Sequence, residues 1–217
     1  MRRTCIAIAL VLGTAGSARP VAAQPAGRLT AGGSIDYARI VDDESVLGSG
    51  WGGSGSVGWR LTDATGVEVE VGRTRHVRDL AHSAVVFDAQ GRFAAVPYTE
   101  RWEGTATFLI GSVTHTFGTG RARPVVWGGG GLMSHDGTRR GPVAPPQVPP
   151  GFSLQPGDAV AHQDAHISGL VADGGAGVEV RVASRLTLRP FAGIRLTNAG
   201  EIGPKYVGRA GIRIGFR

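Results

Sequence analysis

From residue 29 to the end of the chain, apolar and polar residues alternate, segment after segment, while helical periodicity is weak throughout. A period of two places successive side chains on opposite faces of a strand. In residues 29–37, Leu29, Ala31, Gly33, Ile35 and Tyr37 share one face and Thr30, Gly32, Ser34 and Asp36 the other. Residues 51–61 set Trp51, Val57, Trp59 and Leu61 opposite Ser54, Ser56 and Arg60, and Val67, Val69 and Val71 then oppose Glu68 and Glu70. Residues 101–110 place Trp102, Ala106, Phe108 and Ile110 against Arg101, Glu103, Thr105 and Thr107. A glycine-rich strand follows at 124–133, and its pattern does not fix its facing. Residues 169–181, 185–197 and 206–216 complete the set, with Asp173, Glu179, Arg181, Arg185, Arg189, Arg195, Arg209 and Arg213 on their polar faces.

This makes eight predicted strands of about ten residues each, in one domain. Short turns at 62–66, 118–122 and 183–184 carry Gly, Asp, Thr and Ser, which satisfy local backbone groups or accept positive φ. They alternate with longer connections at 40–50, 78–97, 136–166 and 198–205. The loop 136–166 carries Pro142, Pro145, Pro146, Pro149, Pro150 and Pro156, and proline is excluded from central strands. An all-β, eight-stranded antiparallel up-and-down barrel is expected, with both termini on the short-turn side.

The alternation alone does not say which face points outward. A lipocalin-like carrier turns its apolar set inward around a ligand, and a transmembrane barrel turns it to lipid. Lipid is favoured because Tyr37, Trp51, Trp59, Trp102 and Tyr206 sit near strand ends, where an aromatic girdle meets the membrane interface. The final strand also alternates through Tyr206, Ile212 and Ile214 to Phe216.

The export signal reads independently. Arg2 and Arg3 precede the apolar run 5–12, and Val21-Ala22-Ala23 offers small residues for cleavage, so residues 1–23 are expected to be removed and 24–217 to form the barrel. The only cysteine, Cys5, lies within that signal, so the mature chain has no thiol. Losing Arg2, Arg3 and Arg19 takes the formal net charge from +6 to +3, which removes the case for a nucleic-acid partner.

With its export signal, loop asymmetry and terminal strand (Tyr206, Ile212, Ile214, Phe216), the chain resembles small bacterial outer-membrane β-barrels of the OmpA/OmpX-like type. The resemblance implies residence in the bacterial outer membrane, contact with its lipid, and recognition of the last strand by the barrel-assembly machinery. In this sequence Arg217 follows the terminal aromatic residue.

If the apolar rows face lipid, the charged rows point into a barrel only wide enough for its own side chains. Asp36, Glu68, Glu70, Glu103, Asp173 and Glu179 would then meet Arg60, Arg101, Arg181, Arg185, Arg189, Arg195, Arg209 and Arg213. Buried charges are tolerated when paired, so a plugged lumen is expected, with no open pore.

The sequence supports no enzyme, cofactor or metal. His162, Asp164 and His166 cluster without a fixed ligand spacing and read as solvated residues, and His135-Asp136-Gly137 reads as the start of a turn. His166 and Ser168 share a strand face, which does not guarantee a hydrogen bond between them. Residues 195–200 (RLTNAG) resemble in outline the His-x-Ser-Asn segment of outer-membrane lipid A deacylases, yet Arg195 would stand where the base must be. Arginine stays protonated at neutral pH and cannot take a proton. The expected role is therefore non-enzymatic: envelope structure, or interaction of the outer loops with an external partner.

Overall fold

The computed structural model describes residues 28–40, 48–142, 147–154, 163–198 and 206–216. Among the described residues nine strands follow one another: β1 (Leu29–Ile40), β2 (Ser49–Arg60), β3 (Thr65–Asp88), β4 (Phe93–Thr116), β5 (Ala122–Pro142), β6 (Phe152–Leu154), β7 (Gln163–Arg181), β8 (Leu186–Thr197) and β9 (Tyr206–Phe216). Eight of them pair antiparallel in the order β2-β1-β9-β8-β7-β5-β4-β3, and β3 closes the circle on β2. Closure leaves no free edge around the barrel wall. The signal at 1–23 and His162 lie outside the described residues.

The short turns lie at one end. At the β2–β3 turn the Thr62 hydroxyl accepts the Thr65 N–H at 2.9 Å, and Arg60 Nη1 donates to the Asp63 carbonyl at 2.6 Å. Gly118, between β4 and β5, has φ of 75°, a value that favours glycine.

The far end differs from the sequence expectation. Residues 78–97, read as a long loop, carry β3 on to Asp88 and bring β4 back from Phe93. The turn between them is built on Asp88, whose Oδ1 accepts the N–H groups of Gln90 (2.9 Å) and Arg92 (2.8 Å), with Gly91 at φ 76°. The segment 136–166 is likewise strand at both ends, and β6 within it adds to β3 at Val86–Asp88. Pro142 is the last residue of β5, where a missing N–H does least harm. His135-Asp136-Gly137 is not a turn but lies within β5, paired with 165–167 of β7. The sheet therefore continues well past the barrel mouth as a four-stranded extension of β3, β4, β5 and β7.

Facing follows the sequence reading on six strands. Leu29, Ile35, Val57, Val69, Val71, Leu170, Leu188, Ile194, Ile212 and Ile214 all point outward and are exposed. This arrangement is the reverse of a carrier's. On β4 the reading is overturned: Ala106, Phe108 and Ile110 are buried inside with Met133 and Val171, while Leu109 and Val113 face out. Both faces of β4 are apolar here, because a small hydrophobic cluster fills the upper lumen, and alternation then carries no sign of direction.

Candidate functional site

Two surfaces of the barrel concentrate chemistry: its interior and the rim where the outward face changes from apolar to polar. The interior is built by strands from distant parts of the chain. At mid-height Arg195 Nε donates to Asp173 Oδ1 at 3.0 Å, and Arg209 Nη2 and Trp127 Nε1 each donate to Asp173 Oδ2 at 2.7 Å. Arg195 and Arg209 both reach Glu70 Oε1 at 3.4 Å, and Arg213 bridges Glu68 and Glu70. Nearer the short turns, Glu179 gathers Arg123 (2.5 Å), Arg189 (3.2 Å) and Arg60 (3.7 Å). Asp173, Glu70 and Glu179 thus each meet two or more guanidinium groups, the arrangement that offsets desolvation of a buried charge.

Aromatic rings fill the space between the ions. The Arg195 guanidinium carbon lies 3.6 Å over the Phe108 ring, and Arg209 sits 5.2 Å from the Phe191 ring centre. Trp127 meets Phe191 edge to face at 5.7 Å. Gly175 makes this packing possible, since a Cβ there would stand 2.4 Å from the Trp127 ring. The void left among Trp127, Arg189, Phe191, Arg209 and Arg213 is about 10 Å³, at the lower limit for a single water.

Of the charged residues expected inside, Arg60, Glu68, Glu70, Asp173, Glu179, Arg189, Arg195, Arg209 and Arg213 are brought together. Asp36 is buried near Arg195 and Arg209, but neither of its oxygens has a hydrogen-bond partner among the described residues. Arg181 is half-buried at the end of β7, and Arg185 is exposed in the following turn. Arg101 and Glu103 are not lumen residues. They share the outward face of inverted β4, where Arg101 makes a bidentate pair with Asp79 (2.8 and 2.9 Å) and Glu103 meets Arg75 at 3.2 Å. That pair lies beyond the barrel, and the Arg101 hydrogen bonds hold the Asp79 carboxyl below the usual carboxylate range. The sequence missed Arg123 and Trp127, because the facing of the glycine-rich strand is set by its neighbours.

The outer wall carries an apolar belt. Tyr37 and Trp51 pack edge to face at 5.3 Å at its upper margin, joined by Tyr206, and Trp59 and Phe216 mark the lower one. From Trp51 to Trp59 is eight residues, roughly 27 Å of strand. Tilted, that is comparable with the ~25 Å apolar band of a membrane barrel. Trp102 is corrected: it sits above the belt, half-buried, on the inward side of β4. Tyr206, Ile212, Ile214 and Phe216 of the final strand all face outward.

Above the belt the outward residues turn polar: Arg39 on β1, Arg73 and Arg75 on β3, Asp136 on β5, and His166 and Ser168 on β7. Here the register brings together what the sequence left apart. Ser168 Oγ lies 3.2 Å from His166 Nε2, and His166 Nδ1 lies 2.5 Å from Asp136 Oδ1. Inside the mouth at about the same level, His76 and His135 sit with ring centres 5.8 Å apart, both buried. Burial holds both rings near pKa 4, well below the ordinary value of 6.5.

No protein-family model matches the sequence, and no curated relative matches it. Among solved structures, the chain is similar to Ail, the attachment invasion locus protein of Yersinia pestis, solved with the heparin analogue sucrose octasulfate. The TM-score is 0.51 at 11% identity, over 88% of this chain and 98% of that one. Neisserial surface protein A matches with a TM-score of 0.49 at 13% identity, over 87% of this chain and 94% of that one. Closed strand order, outward apolar belt and likeness to Ail together give this chain the fold of the eight-stranded outer-membrane β-barrels.

Proposed function

We propose that the protein is an integral outer-membrane barrel that conducts nothing and works through its outer face and strand extension. The observation that carries this is the ion-pair plug: Asp173, Glu70 and Glu179 tie β3, β5, β7, β8 and β9 together across the lumen, and no described gap there admits more than a few waters. A channel would need those guanidinium groups to leave their carboxylates, at several kcal/mol per ion. The belt contacts hydrocarbon, and Arg39, Arg73 and Arg75 lie at the depth of lipid headgroup phosphates. The β3–β4–β5–β7 extension rises beyond the headgroups as an envelope or interaction surface. The terminal outward row ending at Phe216 serves the barrel-assembly machinery during insertion.

Two measurements test the reading. Detergent-extracted protein is expected to migrate faster on gels before boiling than after it, and to stay with membranes at high salt and high pH. Reconstituted in planar bilayers it is expected to give no stable conductance, and large steady currents would overturn the plugged-barrel assignment.

A further inference from the structure

The geometry points to a serine ester-hydrolase site on the outer wall, formed by Ser168, His166 and Asp136. It rests on the membrane placement proposed above and adds an activity to it. The three residues line up across β7 and β5 on one outward face. An ionised carboxylate only accepts hydrogen bonds, so the 2.5 Å contact with Asp136 places the proton on His166 Nδ1. In the neutral ring Nε2 is then the acceptor, and the Ser168 hydroxyl 3.2 Å away donates to it. That is the order of groups a nucleophilic serine requires: the imidazole takes the hydroxyl proton, and the carboxylate fixes the tautomer and steadies the imidazolium.

A donor for the developing oxyanion is close in sequence and register. Leu170 turns its backbone toward β8, where its N–H meets Asn198 Oδ1 at 2.8 Å and its carbonyl accepts the Asn198 N–H at 3.2 Å. Two residues earlier the Ser168 N–H points to the same edge. The described pairing of β7 with β8 begins only at Val171, so no described strand faces Ser168 there. The Asn198 amide NH₂ remains a second donor, since its oxygen is committed to Leu170.

Location selects the substrate. Ser168 lies one outward position beyond Leu170, and Leu132 and Leu196 are exposed on the flanking strands β5 and β8. An amphiphile with its tails against these leucines would hold its ester carbonyls near Ser168. The substrate class is therefore an acyl ester of an outer-leaflet lipid. Ser168 Oγ bonds to the acyl carbon as its proton passes to His166 Nε2. The carbon–oxygen bond to the alcohol breaks, and the alcohol leaves with that proton. Water then gives a proton to His166 Nε2 and its hydroxide to the acyl carbon, the bond from that carbon to Ser168 Oγ breaks, and the serine oxygen takes the proton back from His166 as the fatty acid is released. Water is the only co-reactant, and nothing is oxidised or reduced.

The test uses the full chain refolded in detergent micelles, with heat-modifiable migration scored on every sample. Wild type is expected to be labelled by a fluorophosphonate at Ser168 and to hydrolyse p-nitrophenyl palmitate faster than p-nitrophenyl acetate. S168A and H166A are expected to lose labelling and at least ~10³-fold in hydrolysis, while S83A, on the extension, keeps both. Asp136 positions the imidazole, so D136N should lower kcat with KM held and D136E should restore part of the loss. Protein that migrates as a folded barrel yet is neither labelled nor active overturns the inference, as does equal activity in S168A. Protein without the heat shift that pellets with no membrane instead overturns the placement on which it rests.

Discussion

The guanidinium of Arg195 is sandwiched between an ion and a ring: its Nε donates to Asp173 at 3.0 Å while its central carbon rests 3.6 Å over Phe108. Arg195 also reaches Glu70, so one residue on β8 couples β3, β4 and β7. Truncation to alanine would take one guanidinium group from each of two buried carboxylates and leave Phe108 without its cover. R195A is expected to lose roughly 3–5 kcal/mol of stability. The loss should appear as a lower urea midpoint for the folded band of unboiled protein. An unchanged midpoint would mean that the lumen charges are independent of one another.

Gly175 is expected to resist any side chain. An alanine Cβ would lie 2.4 Å from both the Trp127 ring and the Ala192 carbonyl oxygen. G175A should therefore destabilise by about 1–3 kcal/mol through overpacking. Adding W127A removes the ring clash but not the backbone one, so recovery in the double variant should be partial. Refolding yield and urea midpoint measure both.

The His76–His135 pair predicts a pH dependence with a defined sign. Both rings lie above the apolar belt, beyond outward-facing Arg73 and beside Asp136, and burial lowers both from 6.5 to about 4. The folded state thus binds fewer protons than the unfolded state between these values. Stability is whole above pH 6.5 and falls as pH drops toward 4, on the order of 3 kcal/mol per ring. Unfolding midpoints at pH 7.5 and 4 check this, and H135F should flatten the slope.

The strand extension is expected to open independently of the barrel. Its described core is thin, with Val86 and Val96 buried and Glu100 accepting from Tyr98 at 2.8 Å. V86A should expose protease sites between residues 78 and 97 while the heat-modifiable shift is retained. Loss of the shift would show that the extension and the barrel fold as one unit.

The barrel was legible because a two-sided wall must alternate: β1, β2, β7, β8 and β9 separate large apolar from charged residues cleanly. The inversion of β4 was not legible, since Phe108 and Ile110 inside and Leu109 and Val113 outside look alike in a pattern of hydrophobicity. Nor was the reach of β3 to Asp88, because few residues of the extension are buried and its sequence carries little contrast between the two faces. His166 and Ser168 shared a face on paper. Asp136, thirty residues earlier, joined them only through the β5–β7 register, which no local pattern encodes.

Glu68 and Glu70 enter the barrel on an early strand, whereas Arg195, Arg209 and Arg213, which bind them, arrive on the last two. A chain truncated before β8 would hold two early anions with none of these counterions, in surroundings that penalise bare charge. The wall is therefore electrically settled only when its last two strands are in place.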